Sequence, residues 1–375
     1  MNKYFFLTIK NHYFAFKFNM NFFKPNCLHF KGDVPCNPHK LNGYHCNSCP
    51  EFTEISKRIL IIKLGAIGDV IRTTPLISTF KKLYPNCKIT WLTLTPAILP
   101  KDAIHEILKF DYASALYLQS AEFDIAINLD KEKEACALLL NVKAREKFGY
   151  VLKDNVAQPI NDLANHKYHT GLFDDVSKAN TMNYCQEIYE MCGLEYKGEH
   201  YMLDNHNDKG YDWTAIDKSK KIIGLNTGCG DRWTTRLWPM EYFANLAKEL
   251  LNKGFEVILL GGEQENERNL TIQKLSGAKY LGFFSLPQFI NLINQCHLVV
   301  TQVTMGMHLT LGLQKKIVLM NNIFNPHEFD LFGNGEIVMP DKECQCFYRG
   351  SCKLGESCMH DLPVQKVLDS VVKLM

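Results

Sequence analysis

Apolar runs that end in glycine alternate with amphipathic segments along most of this chain. Residues 58–65, RILIIKLG, form a nearly continuous apolar run, and the pattern returns at 221–228 in KIIGLNTG. Such runs are typical of strands buried on both faces of a parallel sheet. Further strands are predicted at 88–93 and 124–129 in the first half and at 256–262, 298–302 and 316–322 in the second.

Helical patterns fill the segments between these strands. The first predicted helix covers 70–85, although Pro75 is tolerated only in a first turn and kinks a longer helix. Two further helices are predicted at 183–193 and 304–313. Another is expected to follow Ser285, which can cap its N-terminus, and another to begin with Pro239 as its first residue. Strands alternating with helices predict an α/β fold of two doubly wound, Rossmann-like halves, with a cleft at the carboxyl ends of the strands.

These patterns divide the chain into four predicted parts. Residues 1–57 form a cysteine-containing extension with no helical or strand periodicity, and 58–205 form the first Rossmann-like domain. Residues 206–219 are the predicted linker. Residues 220–375 form the second Rossmann-like domain and end in a cysteine-rich tail.

Composition and charge exclude several classes of protein. The 375 residues are 46% hydrophobic and 22% charged, which is ordinary for a globular protein and unlike collagen, coiled-coil or disordered chains. The net charge of +2 gives no reason to expect nucleic acid as a partner. The aromatic-rich stretch 1–23 has neither the uninterrupted apolar segment nor the cleavage site of a signal peptide, so a reducing compartment is expected.

The 14 cysteines include two clusters. Cys27, Cys36, Cys46 and Cys49 contain one C-x-x-C pair, which recurs in structural zinc sites. Cys36 with Cys27, or with a nearby histidine (His29 or His39), would complete four ligands. Free thiols, disulfides or another metal remain alternatives. The second cluster, Cys344, Cys346, Cys352 and Cys358, has no C-x-x-C pair and predicts a zinc or thiol knot.

Several blocks resemble glycosyltransferase family 9, the family of the ADP-heptose:lipopolysaccharide heptosyltransferases. The first is ILIIKLGAIGDVIRTTPLI at 59–77, followed in order by NTG at 226–228, RLWP at 236–239, GGEQENER at 261–268 and MH at 307–308. The resemblance covers residues 58–375 and implies a GT-B fold, with the donor mainly on the second domain and the acceptor on the first. One departure is Val303, which stands where the family usually has an aspartate.

Asp69 ends the GAIGD turn after the first strand, where a carboxylate points into the cleft. Inverting glycosyl transfer needs a base that takes the acceptor hydroxyl proton. The spacing alone favours a helix N-cap at Asp69, whereas the resemblance makes it the catalytic base. Gly65 and Gly68 in the same turn allow the backbone to approach a ligand or acceptor closely.

The negative charge of the leaving nucleoside diphosphate can be stabilised by a helix N-terminus and by arginine or lysine, with no metal required. The candidates are the amides at Thr304, Gly306 and Met307 and the side chain of His308, with Glu265 expected to accept from the ribose hydroxyls. The remaining donor-binding candidates follow the 221–228 strand and are Thr227, Gly228, Arg232 and Arg236.

The sequence therefore predicts an enzyme that needs no cofactor for catalysis, with structural zinc as an additional expectation. The resemblance implies transfer of a heptose-like sugar from ADP-heptose to a lipid-linked lipopolysaccharide core acceptor, in the cytoplasm, with peripheral contact at the inner face of the inner membrane. Two alternatives remain: another nucleotide-sugar donor, or a zinc-binding α/β module without catalysis. A Rossmann-type oxidoreductase is disfavoured because the first turn lacks G-x-G-x-x-G.

Overall fold

The computed structural model describes residues 23–230, 233–342, 344–353 and 355–375. Two compact units divide between Ser56 and Lys57. In the first unit an antiparallel bridge joins Cys27 to Glu54, and a short helix, α1 (Asn37–Asn42), ends at Gly43 in the left-handed conformation. The sequence shows no periodicity before residue 58 because α1, at six residues, is too short to display one. The aromatic stretch 1–22 lies outside the described residues.

The second unit contains two six-stranded sheets. The strands of the first sheet are β1 (Arg58–Ile62), β2 (Lys88–Thr93), β3 (Glu106–Lys109), β4 (Glu122–Asn128), β5 (Lys143–Lys153) and β6 (Val156–Pro159). Their order across the sheet is β3-β2-β1-β4-β5-β6, and only the β5–β6 pair is antiparallel. Strands β2 and β3 are added on one side of β1, and strands β4 to β6 on the other. The switch point of this sheet therefore lies between β1 and β4.

The second sheet repeats this topology with parallel strands throughout. Its strands are β7 (Ile222–Asn226), β8 (Glu256–Leu260), β9 (Lys279–Tyr280), β10 (Leu298–Gln302), β11 (Lys316–Met320) and β12 (Gly335–Val338). The order is β12-β11-β10-β7-β8-β9, so the switch point lies between β7 and β10. Crevices that bind ligands form at such switch points, outside the carboxyl ends of the strands.

Helices cover both faces of the two sheets. In the first half they are α2 (Ile67–Ile71), α3 (Pro75–Leu83), α4 (Tyr112–Ser120), α5 (Lys133–Asn141), α6 (Asn165–Thr170), α7 (Asp174–Ala179) and α8 (Tyr184–Met191). In the second half they are α9 (Met240–Asn252), α10 (Asn266–Ser276), α11 (Leu286–Gln295), α12 (Met305–Gly312) and α13 (Val364–Leu374). Within the part of the chain that is described, no helix has the length and apolar character needed to span a bilayer.

Three sequence expectations need correction. The helix predicted at 70–85 is two helices, because the chain turns after α2 and Pro75 begins α3. Proline has no N–H to donate, so it fits the start of a new helix better than the interior of one. Pro239 is the N-cap of α9 rather than its first helical residue. Strands β3, β5, β6, β9 and β12 were not expected, since their burial is partial and their apolar pattern weak.

The two halves meet where α2 packs against α12. A side chain at Gly68 on α2 would place its Cβ 2.3 Å from Cδ2 of His308, and one at Gly312 would lie 2.0 Å from Cδ2 of Leu203. Both distances are shorter than any Cβ contact that real side chains make. The close approach of α2 to α12 therefore requires glycine at position 68, while Gly312 makes room for the side chain of Leu203.

We expect Gly68→Ala to lower the free energy of unfolding by about 1–3 kcal/mol, because the added methyl group collides with the His308 ring. Chemical denaturation of the full chain would measure this loss. The double variant Gly68→Ala with His308→Ala removes the obstacle, so its loss should be smaller than the sum of the two single losses. Strictly additive losses would show that the contact does not limit the approach of α2 to α12.

Candidate active site

A cavity of about 470 Å³ opens at the switch point of the second sheet. Its polar wall is built from the loops that follow β7, β8 and β10, and its apolar wall comes from the start of α11. Ile67 on α2 of the first half also lines it. Its lining residues include Asn226, Gly228, Arg236, Gly262, Glu265, Phe284, Leu286, Phe289, Thr304 and Gly306. We call this cavity the β7–β10 pocket.

The N-terminus of α12 forms one end of the pocket. Thr304 is its N-cap and accepts a hydrogen bond from the N–H of Gly306 at 3.1 Å. Asn226, at the end of β7, donates its side-chain N–H to Oγ1 of both Thr301 (2.9 Å) and Thr304 (3.0 Å). A Cβ at Gly306 would lie 2.8 Å from Nδ2 of Asn226. Glycine at 306 thus lets the helix start directly on Asn226, which brings its amides to the pocket.

Glu265 lies across the pocket from α12. Its Oε2 accepts from the N–H of Gly262 at 2.8 Å, and its side chain occupies the space that a Cβ at Gly228 or Gly261 would take. The expectation of an acidic group in the pocket therefore agrees with where the structure places Glu265. The two glycines hold this carboxylate close to the backbone that follows β7.

Arg236 is half-buried at the back of the pocket. Its guanidinium donates to the carbonyl oxygens of Val303 and Cys229 and lies 5.6 Å from the ring centre of Phe324. Burial lowers the pKa of Arg236 below its ordinary value. Within the part of the chain described, no carboxylate forms an ion pair with it, so its charge is available to an anion. Arg232, also predicted for this loop, lies outside the described residues.

Three predicted donor residues do not line the pocket. Thr227 is fully buried and donates its hydroxyl to Oδ1 of Asn269 at 2.5 Å. The N–H of Met307, the group predicted to contact the phosphates, donates instead to the carbonyl oxygen of Thr304 at 3.1 Å, and the side chain of Met307 is fully buried. His308 points to the first half and packs on Gly68, and burial followed by the charge of Arg72 lowers the pKa of His308 to about 3. The imidazole of His308 is therefore neutral at physiological pH.

Sequence reasoning missed the apolar wall and the anchoring asparagine. Phe284, Leu286 and Phe289 read as an ordinary amphipathic helix start, and only the fold brings them opposite the loop after β7. The signal for Asn226 was present, since it opens the NTG block, but its bonds to Thr301 and Thr304 connect strands that are distant in sequence.

Asp69 is the third residue of α2, whose N-cap is Ala66. The alternative of Asp69 as the N-cap is therefore wrong. Its side chain is 39% exposed and pairs with Nε of Arg72 at 3.1 Å. Burial by itself raises the pKa of the Asp69 carboxyl, but the charges of Arg72 and Lys63 outweigh that effect and hold the pKa below its ordinary value. Asp69 is therefore ionised at neutral pH.

Arg72 connects Asp69 with the second half of the molecule. Its Nη2 contacts Oε1 of Glu328 at 2.7 Å, and its guanidinium carbon lies 3.4 Å from the ring centre of Tyr184. Glu328 also accepts from the hydroxyl of Tyr348 at 2.8 Å. These contacts hold the guanidinium of Arg72 in one position, in which it pairs with Asp69.

A buried ion pair shapes the turn before Asp69. Nζ of Lys63 contacts Oδ1 of Asp130 at 2.5 Å and the carbonyl oxygen of Gly65 at 2.6 Å. Oδ2 of Asp130 accepts from the N–H of Leu64. Asp130 lies two residues after the end of β4, so its contacts with Lys63 and Leu64 join the ends of β1 and β4 at the switch point of the first sheet. Gly65 has open space around its Cβ position, with Leu94 the nearest atom at 3.9 Å.

The four cysteines of the tail lie close together. Sγ of Cys346 is 3.6 Å from Sγ of Cys352, and Sγ of Cys344 accepts from the N–H of Cys346 at 3.3 Å. Sγ of Cys358 accepts from Nδ2 of Asn322 at 3.4 Å. The N–H of Lys353 bonds to Sγ of Cys346 at 3.3 Å and lowers the pKa of that thiol. None of the cysteines, all of which fall within the described residues, forms a disulfide.

Curated proteins related to this chain match a limited part of it. The lipopolysaccharide core heptosyltransferase OpsX of Haemophilus influenzae is 26% identical over 111 residues, which cover 27% of this chain and 32% of OpsX. This chain thus matches about a third of the length of such relatives.

Solved structures match over most of the chain and show its fold. E. coli ADP-heptose lipopolysaccharide heptosyltransferase II has a TM-score of 0.62 at 16% identity, covering 84% of this chain and 98% of that one. TibC, described as a dodecameric iron-containing heptosyltransferase and found in enterotoxigenic E. coli, has a TM-score of 0.53 at 12% identity, covering 86% and 78%. The expected GT-B fold is confirmed.

The sequence profile described as glycosyltransferase family 9 (heptosyltransferase) matches residues 113–347, more than half of the chain. The block at 59–77 lies outside this match, while the later blocks lie within it. The matched residues include β4 to β12 and every element that forms the polar wall of the β7–β10 pocket. The chain belongs to glycosyltransferase family 9.

Proposed function

We propose that this protein is an inverting glycosyltransferase that moves a heptose-like sugar from ADP-heptose to a lipopolysaccharide core acceptor. One observation carries the proposal: the β7–β10 pocket contains the N-terminus of α12 and is also lined by Ile67, two residues before the ionised Asp69. A donor site on one half and a base on the other is the arrangement that glycosyl transfer between two bound substrates needs. The family, and relatives described as heptosyltransferases, support the choice of sugar.

The donor would lie in the β7–β10 pocket. The diphosphate fits the first amides of α12 and the charge of Arg236, because helix N-termini and arginine stabilise phosphate oxygens. The base of the nucleotide fits the apolar wall of Phe284, Leu286 and Phe289. Glu265, at the rim, is the acceptor for ribose hydroxyls.

In the chemical step the acceptor hydroxyl oxygen attacks the anomeric carbon from the face opposite the diphosphate. The new C–O bond forms as the bond to the phosphate oxygen breaks, and the configuration inverts. Asp69 takes the hydroxyl proton, a role for which its carboxylate is ready because Arg72 keeps it ionised. The charge released on the diphosphate goes to the α12 amides and Arg236. These groups would supply the stabilisation without a divalent ion, so chelation in the assay should leave the rate unchanged.

The proposed acceptor is a lipid-linked oligosaccharide, which implies work at the inner face of the inner membrane. This location rests on the proposed substrate. Two other functions compete with the proposal. A family member with another nucleotide-sugar would use the same pocket, and a zinc-binding module without catalysis would keep the fold but lose transfer.

Asp69→Asn tests the proposal directly. Asparagine keeps the size of the side chain but cannot take a proton, so we expect transfer from ADP-heptose to fall at least about 100-fold. Stability should change little, because Asp69 caps no helix and the buried Arg72 keeps its ion pair with Glu328. The matched control is Asp111→Asn: Asp111 is the N-cap of α4 and accepts from the N–H of Ser114 at 2.8 Å. That variant should cost at most about 1 kcal/mol and leave transfer intact.

Nucleotide binding separates the outcomes of this test. ADP at 100 times its Kd should stabilise both the parent and Asp69→Asn by about 2.7 kcal/mol in thermal unfolding, since the pocket is unchanged. A stronger response to GDP or UDP would indicate another donor, and one to NAD an oxidoreductase. Transfer by Asp69→Asn at the parent rate would remove Asp69 as the base.

Arg72→Gln should move the acidic limb of the pH profile of kcat/KM to higher pH. In the parent enzyme the pKa of Asp69 lies below its ordinary value, so the base is lost only as the pH falls through that lowered pKa. Removing the charge of Arg72 leaves burial to raise the pKa of Asp69. Arg72→Lys keeps a charge and should shift the limb less.

The same substitution leaves Glu328 without its arginine, so Arg72→Gln should be combined with Glu328→Gln as a second arm. Thermal unfolding measured at each pH distinguishes a loss of folded enzyme from a change in the rate of the folded enzyme. An acidic limb that stays in place in both arms would show that Arg72 does not control the protonation of Asp69.

We also propose that Cys344, Cys346, Cys352 and Cys358 hold one metal ion. Four cysteine sulfurs, three of which accept from N–H donors while the fourth contacts Sγ of Cys346, suit Zn²⁺ or iron, both of which accept tetrahedral thiolate ligands. The ion would anchor the tail and take no part in transfer. Iron is tested beside zinc because TibC is described as iron-containing.

Cys346→Ser with Cys352→Ser should remove one metal ion per chain and lower the melting temperature, measured by elemental analysis and thermal unfolding. The matched control is Ser351→Ala, an exposed neighbour, which should change neither. Unchanged metal content in the cysteine variant would refute this site.

A further inference from the structure

We propose that the N-terminal unit is a second metal-binding module, in which Cys27, Cys36, Cys46 and Cys49 bind one Zn²⁺. The four cysteines line a single small cavity of about 20 Å³, together with His29. This unit lies outside the residues that match family 9, and glycosyl transfer as proposed makes no use of it. The proposal therefore stands apart from the proposed enzymatic function.

The unit has almost no apolar core. Among its described residues, 23–56, only Cys27 and Pro38 are buried, while Phe23, Val34 and Leu41 are 56%, 49% and 80% exposed. Ordering each residue costs about 1–2 kcal/mol of backbone entropy. Domains below about 70–80 residues rarely have a core that offsets this cost by itself, and many are stabilised by disulfides or a metal. The thiols are unbridged, which leaves the metal as the means of stabilisation.

The backbone brings the cysteines together from separate turns. The N–H of Phe30 bonds to the carbonyl of Cys27 at 3.0 Å, and the N–H of Phe52 bonds to the carbonyl of Cys49 at 3.3 Å. Cys36 is the N-cap of α1 but its side chain makes no capping bond, so its sulfur is not engaged there. The bridge between Cys27 and Glu54 joins the start of the unit to its end. Each sulfur therefore sits next to a turn that fixes its backbone.

The size and chemistry of the cavity indicate one small, thiophilic ion. About 20 Å³ accommodates a single ion or water molecule and excludes an organic ligand. Zinc with four thiolates is the common structural site, with Zn–S distances of about 2.3 Å. No three of the four cysteine sulfurs lie within 4.8 Å of one another. Among the described residues, the donor atoms of Asp204, His206 and Asp208 do lie within that distance. The sulfurs must therefore move inward on binding.

His29 is the one histidine that lines the cavity and is the reserve ligand. His39 is not, because its Nδ1 contacts the carbonyl of Tyr44 at 3.0 Å and its ring packs edge-on against His45. Four thiolates are the favoured set since all four cysteines reach the cavity.

The test is elemental analysis of the full chain purified without chelator. Cys46→Ser with Cys49→Ser should contain one metal ion fewer than the parent and should lose protection from hydrogen exchange across residues 23–56. The matched control, Asn47→Ala with Ser48→Ala, changes the two exposed residues between these cysteines and should keep both properties. Replacement of zinc by Co²⁺ should give a thiolate-to-cobalt absorption band that the cysteine variant has lost in part.

Metal content equal to that of the parent would overturn the proposal, and so would a disulfide between these cysteines in freshly purified protein analysed by mass spectrometry. The variants Cys346→Ser and Cys352→Ser separate this site from the one in the tail, because the two losses should add. Stabilisation by ADP should be unchanged in Cys46→Ser with Cys49→Ser. A failure of this proposal is thereby distinguishable from a failure of the proposed transfer activity.

Discussion

The close approach of α2 to α12 is the constraint on which the candidate active site depends. Helix α2 follows the carboxyl end of β1, and α12 follows the carboxyl end of β10, the strand next to β7. Each helix therefore begins at the switch point of its own sheet. Gly68 removes the one side chain that would keep them apart. Because Asp69 follows Gly68 directly, the same contact that joins the halves also places the carboxylate beside the pocket. The proposed donor pocket and the proposed base are thus positioned by one packing contact.

Electrostatics reinforce this arrangement from within the protein. Arg72 is almost completely buried, and such a charge is stable only when it is paired. It has two carboxylate partners, Asp69 from its own helix and Glu328 from the second half. Sharing one cation between them keeps both carboxylates ionised, and it makes the state of Asp69 sensitive to how the second half sits. His308, which could have competed as a base, is neutral and holds its place by packing.

The sequence predicted the fold well because its main signals are local. A buried strand followed by glycine is visible at 58–65 and 221–228, and both positions are strand and turn as expected. Strands β5 and β6 were not predicted because both are only partly buried, which weakens their apolar pattern; β6 is the edge strand and β5 lies next to it. Pro75 indicated a break in the helix predicted at 70–85. The position at which that helix divides into α2 and α3 depended on the packing of α2.

The site was predicted less completely, since its contacts are long-range. Gly228, Arg236, Glu265, Thr304 and Gly306 come together in the β7–β10 pocket, as the motifs indicated. Thr227 and Met307 are neighbours of these residues in sequence, yet the side chains of both are buried in the core. The ion pair between Arg72 and Glu328 spans 256 positions and leaves no trace in either local sequence. Nothing short of the tertiary structure could have paired them.

The departure at Val303 bears on whether the pocket still functions. The side chain of Val303 is only 8% exposed and belongs to the core, so it offers nothing to a ligand. Its backbone carbonyl, however, accepts from Arg236. A carbonyl is present whatever residue stands at 303, so losing the acidic side chain leaves the anchor of the arginine intact. Valine also carries no negative charge, so the side chain at 303 would not compete with the proposed diphosphate for that arginine.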